Sequence, residues 1–393
     1  MRKAVTILIA VSMFSGCVTT KRPDRSLQDL VSARQADDIA RSEESGELAD
    51  QLFKRAEVKA DAFKNGGNAT RPTLDVLVIS GGGDWGAFGA GVLKGWGRVA
   101  GEAARPKFDV VTGVSTGALI APFAFLGDDE SIERIVQLYR NPQKDWTKKR
   151  GLLFFWPTHE SLYTMPGLER EMRVAMDRKM LERIAAEDGT GRLLAVNTTN
   201  VDFGEMRGWN IVAEAKAALA TNDEDRVQSI LLASAGIPAV FPPREIGPYL
   251  YVDGAITGNI MYGGRVREDQ SLPAEWDARH AGTPMPLMRY WVIFNNQLRF
   301  APQVTRMRWP DIMSRATIMS TQTSTVNSLR HLFAQAEIAR LKYNADVEVR
   351  IIAVPDTWVP PKAGTFVPEV MNALADLGEQ MGADPTSWRS EAP

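Results

Sequence analysis

Phe108-Asp-Val-Val-Thr-Gly-Val-Ser-Thr-Gly-Ala-Leu-Ile-Ala121 is the stretch on which the reading of this chain turns. Phe108 to Thr112 is a short apolar run of strand character, and Ala118 to Ala121 begins a small-residue helix. Between them stands Gly113-Val114-Ser115-Thr116-Gly117. A G-x-S-x-G pentapeptide between strand and helix is a nucleophile elbow. The sharp turn puts Ser115 at a strained apex, and the flanking glycines let the chain fold back without a clash. The hydroxyl then sits at the N-terminus of the next helix, where the peptide dipoles favour developing negative charge.

One strand earlier, Thr73-Leu-Asp-Val-Leu-Val-Ile-Ser80 has the β-branched apolar content of a buried strand. It runs into Gly81-Gly-Gly-Asp-Trp-Gly-Ala-Phe-Gly-Ala-Gly91. Gly81, Gly83 and Gly86 also satisfy the G-x-G-x-x-G pattern of dinucleotide sites. That reading asks for an acidic residue closing the second strand to hold a ribose; here Asp109 stands near its start. Adjacent parallel strands end on the same side of a sheet, which brings the glycine loop beside Ser115. Backbone N–H groups of Gly82, Gly83 and their neighbours then offer an oxyanion hole, in which each donor is worth about 2.7–4 kcal/mol. Acyl transfer uses both loops, whereas hydride transfer uses one. A dinucleotide-binding domain with an idle Ser115 remains the alternative.

A serine nucleophile needs a group to take its proton. After Leu231-Leu-Ala-Ser-Ala-Gly-Ile-Pro-Ala-Val-Phe-Pro-Pro243 comes Tyr249-Leu-Tyr-Val-Asp-Gly-Ala255. Asp253 ends an apolar strand at a tight turn, a place suited to presenting a carboxylate at a sheet edge, although Asp-Gly is also an ordinary turn signal.

Together these three motifs resemble, in order and spacing, the patatin-like phospholipases, over roughly residues 73–265. The segment Ala233-Ser-Ala-Gly-Ile-Pro238 with Phe241-Pro242 is similar as well. The resemblance implies a three-layer α/β/α fold, with a mostly parallel central sheet and the elbow at a strand end. It also implies lipid acyl hydrolysis by a Ser–Asp dyad without histidine and without a cofactor. Ser115 would be the nucleophile and Asp253 the base. Gly81, Gly82, Gly83 and Gly86 would form the oxyanion hole, with Gly113, Gly117, Gly254 and Ala255 completing the motifs. The substrate would be a membrane lipid or another acyl ester. One departure is Trp85, where the family usually has Arg or Lys, and it bears on phospholipid preference. Two rivals remain: a Ser115–Asp253–His triad using His280 or His331, and a catalytically silent scaffold. His331 reads as a helix residue, His280 as part of a polar linker, and His159 as structural or at the surface.

The remainder of the 393 residues bounds these readings. The chain is 44% hydrophobic and 24% charged, which suits a globular α/β domain with appendages. Lys+Arg number 46 and Asp+Glu 48, so nucleic acid is not an expected partner. Three histidines make a multi-histidine metal site unexpected, and no motif implies calcium. The lone cysteine, Cys17, excludes an internal disulfide. It ends Phe14-Ser-Gly-Cys17 after Met-Arg-Lys and a short apolar run, which resembles the lipobox of a bacterial lipoprotein signal. That resemblance implies a signal peptide over residues 1–16, acylation of Cys17, and an exported protein anchored in the cell envelope.

Residues 17–69 read as a polar, partly helical spacer ending at Asn65-Gly-Gly-Asn68, or as a helix docked on the main domain. Residues 73–265 form the catalytic domain, and residues 266–393 supply later strands and helices. Within them Met288–Asn295 and Asp346–Ala353 read as strands, and Met313–Leu341 and Phe366–Met381 as helices. Arg192–Thr198 reads as a core strand, followed by a hairpin or loop to Trp209. Lys148-Lys-Arg150 beside Gly151-Leu-Leu-Phe-Phe-Trp-Pro157 is either a lipid-contacting lip or a core segment.

Overall fold

The computed structural model describes residues 22, 24–66, 71–151, 159–263 and 270–393. The signal region with Cys17, residues 67–68 of the breaker, and residues 152–158 of the aromatic lip lie outside these. The strands, in chain order, begin with β1 (Thr73–Ile79), β2 (Val110–Val114), β3 (Lys148–Lys149), β4 (Tyr163–Thr164) and β5 (Leu193–Asn200). They continue with β6 (Glu205–Asn210), β7 (Arg244–Ile246), β8 (Tyr249–Asp253), β9 (Leu287–Gln297) and β10 (Val347–Val354). One large sheet runs β10-β9-β1-β2-β5-β8-β7, with β6 also paired to β5; β3 and β4 make a separate ribbon. The five strands from β10 to β5 are parallel, and β6, β7 and β8 add antiparallel pairings.

Alternation along β1 makes the layers. Leu77 and Ile79 enter one core and Leu74, Val76 and Val78 the other, as expected of a strand covered on both faces. The first face carries α2 (Gly86–Trp96), α3 (Thr116–Leu126), α4 (Asp129–Arg140) and α5 (Pro166–Ala175), and then α6 (Arg178–Ala185), α7 (Ile211–Thr221), α8 (Glu224–Ser234) and α11 (Pro368–Gly382). The second carries α1 (Leu27–Gly66), α9 (Leu272–Arg279) and α10 (Trp309–Tyr343). The three-layer α/β/α reading with a mostly parallel sheet therefore holds.

Two local readings change. The strand placed at Phe108–Thr112 is β2, shifted to Val110–Val114, because Gly113 and Val114 continue the ladder against Val196 and Asn197. The small residues of α2, which on sequence fit a helix packed closely on the sheet, serve mainly a helix pair. A Cβ at Gly91 or Gly95 would overlap carbonyls of Ala375 or Glu379, and one at Gly378 or Gly382 those of Phe88 or Val92. Thus α2 and α11 pack backbone to backbone, while Gly89 faces Ile293 of the sheet.

The segment left open between spacer and docked helix is, over Leu27–Gly66, one helix whose later turns bury Phe53, Ala56 and Ala60. Asp109 fixes it. This fully buried carboxylate accepts from Arg55 Nε (2.9 Å), Lys59 Nζ (2.6 Å) and the Asp75 N–H (2.8 Å). Those bonds occupy it in a structural ion cluster, at the end of β2 opposite Ser115.

Candidate active site

The strand registers bring the site together. Ile79 pairs with Gly113, so the loops after β1 and β2 leave the sheet side by side. Val114 pairs with Asn197, and the next residue of β5, Thr198, pairs with Asp253 at the end of antiparallel β8. Strands β2 and β8 thus meet end to end along β5, with Ser115 and Asp253 at the junction.

Ser115 has φ 55° and ψ −125°, a left-handed backbone that side chains rarely adopt. The turn is forced by its neighbours: a Cβ at Gly113 would overlap the Gly117 carbonyl, and one at Gly117 the Ile79 carbonyl. It is held by Ser234, whose Oγ accepts the Ser115 N–H at 2.9 Å and donates to the Asn197 carbonyl at 2.6 Å. The Ser115 hydroxyl donates to Asp253 Oδ2 at 2.8 Å.

Asp253 is 2% exposed. Its other oxygen accepts from the Ala255 N–H at 2.8 Å, and its backbone is tied through N–H to the Gly236 carbonyl and through C=O to Thr199 Oγ1. Burial pushes its pKa up to about 7, against the opposing pull of the Ala255 N–H and the Ser115 hydroxyl. A Cβ at Gly254 would overlap the Asn197 carbonyl, which accounts for glycine after the aspartate.

The glycine loop packs on the serine: a Cβ at Gly81 would lie 2.8 Å from that of Ser115. The four glycines expected to line an oxyanion hole divide into two pairs. The N–H groups of Gly82 and Gly83 have no acceptor among the described residues. The Gly81 N–H instead donates to Asn259 Oδ1 at 3.0 Å, and that of Gly86 to carbonyls within the loop. Gly81 and Gly86 are there for space, since a Cβ on either would overlap Asn259 Oδ1 or Thr116 Oγ1.

Residues 77–263 match the family model for patatin-like phospholipases. The match supports a lipid acyl hydrolase in general, and the mostly parallel sheet agrees with the patatin-like fold. The structure is similar to that of VipD from Legionella pneumophila, with 13% sequence identity and a TM-score of 0.38, covering 82% of this chain and 68% of that one. No curated protein gives a significant match.

Beyond the patatin-like residues, the chain returns to close the site. Ser115 opens on an apolar slot of about 30 Å³ lined by Leu119, Trp146, Met165, Ile237 and Phe241 among others, and by Phe366 from the segment before α11. That space admits about one water. Two contacts hold the closing segment to the glycine loop. The Phe366 N–H donates to Asp84 Oδ2 at 2.8 Å, and Trp358 meets the Trp85 ring edge-on at 5.1 Å. Asp84 is buried, and desolvation raises its pKa. Phe366 itself has φ 56°. Trp85, the departure from the family pattern, is thus an anchor for this segment.

The histidines are elsewhere. His280 Nε2 bonds Glu57 at 2.9 Å, with the ring between Phe53 and Trp276, so it caps α9 against α1 and is not a solvated linker residue. His331, within α10, bonds Tyr262 at 2.8 Å, and His159 is exposed. Neither oxygen of Asp253 meets an imidazole. Asp84, Ser234 and Phe366 have no role in the reading from sequence. Asp84 and Ser234 lie within family-like motifs, whereas Phe366 carries no such signal.

Proposed function

We propose that the protein is a serine lipid acyl hydrolase in which Ser115 attacks the ester carbonyl and Asp253 takes its proton. The observation that carries this reading is the 2.8 Å bond between a strained, buried serine and a buried carboxylate whose pKa lies near 7. A base with that pKa is half ionised at neutral pH and matched to proton transfer. Attack of Ser115 Oγ builds negative charge on the carbonyl oxygen, for which the N–H groups of Gly82 and Gly83 are the available donors. Asp253 then returns the proton to the departing alcohol, leaving an ester on Ser115. A water, deprotonated by Asp253, releases the acid by the reverse path. The lining of the slot is apolar, as an acyl group requires, and its small volume calls for the Phe366 segment to give way before a long chain can enter.

Hydrolysis of soluble p-nitrophenyl esters tests the reading. Ser115→Ala and Asp253→Asn are expected to lose activity by three orders of magnitude or so, as removal of triad members does, while His280→Ala/His331→Ala retains it. Loss of activity in the folded double-histidine variant would favour the triad, and a silent wild type the scaffold.

We also propose, on the sequence alone, that Cys17 is acylated and tethers the protein to the bacterial envelope. One chain binds reversibly, so stable attachment calls for several. Labelling with a fatty-acid analogue in a bacterial host is expected to mark the wild type and to spare Cys17→Ser; equal labelling of both would remove the anchor.

A further inference from the structure

Strand β9 ends at Gln297 on the Ser115 side of the sheet, and α10 crosses back to the start of β10. Gln322 Nε2 donates to the Gln297 carbonyl at 2.6 Å, which fixes the point where α10 reaches the sheet end. From Gln322 to Tyr343 the helix rises about 32 Å, matching the roughly 33 Å of β9. The turns before Gln322 therefore have no sheet to lie on. They extend about 20 Å beyond it, at the end where Asn259 links Thr325 (3.1 Å) to Gly81 (3.0 Å).

None of residues 298–321 is buried. The segment should be polar, yet it carries Val304 and Met307, 99% and 98% exposed, and Trp309 at 77%, with Ile312, Met313, Ile318 and Met319 also exposed. Trp309, Ile312, Met313, Ala316 and Met319 follow helical spacing along one side. Its charges are Arg299, Arg306, Arg308 and Arg315 against Asp311 alone. Arg315 is tied back to the Ala301 carbonyl at 3.1 Å and covers the Phe300 ring, while no bond from Arg306 or Arg308 to a side chain is formed among the described residues.

We infer that residues 299–319 form a finger that enters the surface of an anionic phospholipid bilayer and presents the Ser115 end of the sheet to it. Apolar side chains with a tryptophan among arginines match an interfacial helix. Charge complementarity selects the occupant. Pairing two copies through this face would bring eight arginines together with two aspartates, whereas anionic head groups neutralise the arginines. Lys148 and Lys149 add exposed cations on the ribbon between Trp146 and Met165 of the slot. The purpose of the finger rests on the proposed lipid hydrolysis, but its binding does not.

Because Cys17 is the only cysteine, Cys17→Ser/Met313→Cys in the full chain takes a single environment-sensitive fluorophore. Ser115→Ala is included so that no lipid is consumed. With phosphatidylethanolamine/phosphatidylglycerol vesicles the emission is expected to brighten and shift to the blue. Phosphatidylcholine vesicles should do far less. The same label at Leu341→Cys, exposed at the other end of α10, should not respond. Arg306→Gln/Arg308→Gln should raise the vesicle concentration at half-maximal response roughly 30-fold. An unresponsive label at 313, an equal response at 341, an unmoved midpoint, or a change without vesicles that follows protein concentration would each overturn the proposal. The last would indicate self-association. A responsive finger on a wild type silent toward every ester would leave the finger standing and remove the hydrolase reading.

Discussion

At Ser115 the backbone, the base and the glycine loop impose three separate demands, and each has a measurable consequence. For Asp253 the sign of the pH effect follows from burial. Its pKa rises from 3.8 to about 7, so the ionised carboxylate that the proposed mechanism needs is lost below neutrality. Hydrolysis of a soluble ester is expected to show an acidic limb near pH 7; a limb at an ordinary carboxylate value would contradict it. Stability runs the other way. The folded state holds this proton more tightly than the unfolded state, so the protein loses stability as pH rises from about 4 through 7. Asp253→Asn has no charge to bury; its oxygen still accepts from the Ala255 N–H, and its NH2 donates to Ser115 Oγ in place of the bond the carboxylate accepted. In thermal melts it should exceed the wild type at pH 8, by an amount on the order of a few kcal/mol, with the gap closing toward pH 5. Ser115 and Asp253 were legible in the sequence because an elbow and a strand-end aspartate each require glycine at fixed offsets. Asp84 and Phe366 were not, being 282 residues apart and joined by a side chain to backbone bond that no local pattern encodes.

Among the elements, the segment before α11 contributes Phe366 to the wall of the slot. Phe366→Ala is expected to raise kcat/KM for long-chain p-nitrophenyl esters relative to acetate, on the order of tenfold. Asp84→Ala should do the same through loss of the Phe366 N–H bond. A parallel rise for acetate would show that the segment does not act on chain length. Helix α1 depends on Asp109. Asp109→Ala leaves Arg55 and Lys59 without their carboxylate, and both cations keep partial contact with water. The expected cost in urea unfolding is therefore about 2–3 kcal/mol, below that of a fully buried pair. Long elements were read nearly to their ends: Met313–Leu341 is α10, Trp309–Tyr343. Docking of α1 was not readable, because three small or apolar contacts in forty residues make a faint stripe and the deciding partner, Asp109, lies on a distant strand.

Across the whole molecule, the sheet collects chemistry at one end. Parallel β1 and β2 deliver the glycine loop and the elbow there, and antiparallel β8 enters from the other direction to bring Asp253. The parallel half could be anticipated from its apolar runs and glycine turns. The head-on meeting of β2 and β8 along β5 could not, since it depends on register. The projecting start of α10 places exposed apolar and basic residues beyond the same end. The proposed hydrolase reading requires a Ser115 that reacts with Asp253 as its only base. The most direct measurement is covalent capture by an alkyl fluorophosphonate, read by mass spectrometry of the digested protein. One adduct is expected, on Ser115, forming with a midpoint near pH 7, abolished in Asp253→Asn and kept in His280→Ala/His331→Ala. An adduct on another residue, or one lost with the two histidines in a folded protein, would contradict it.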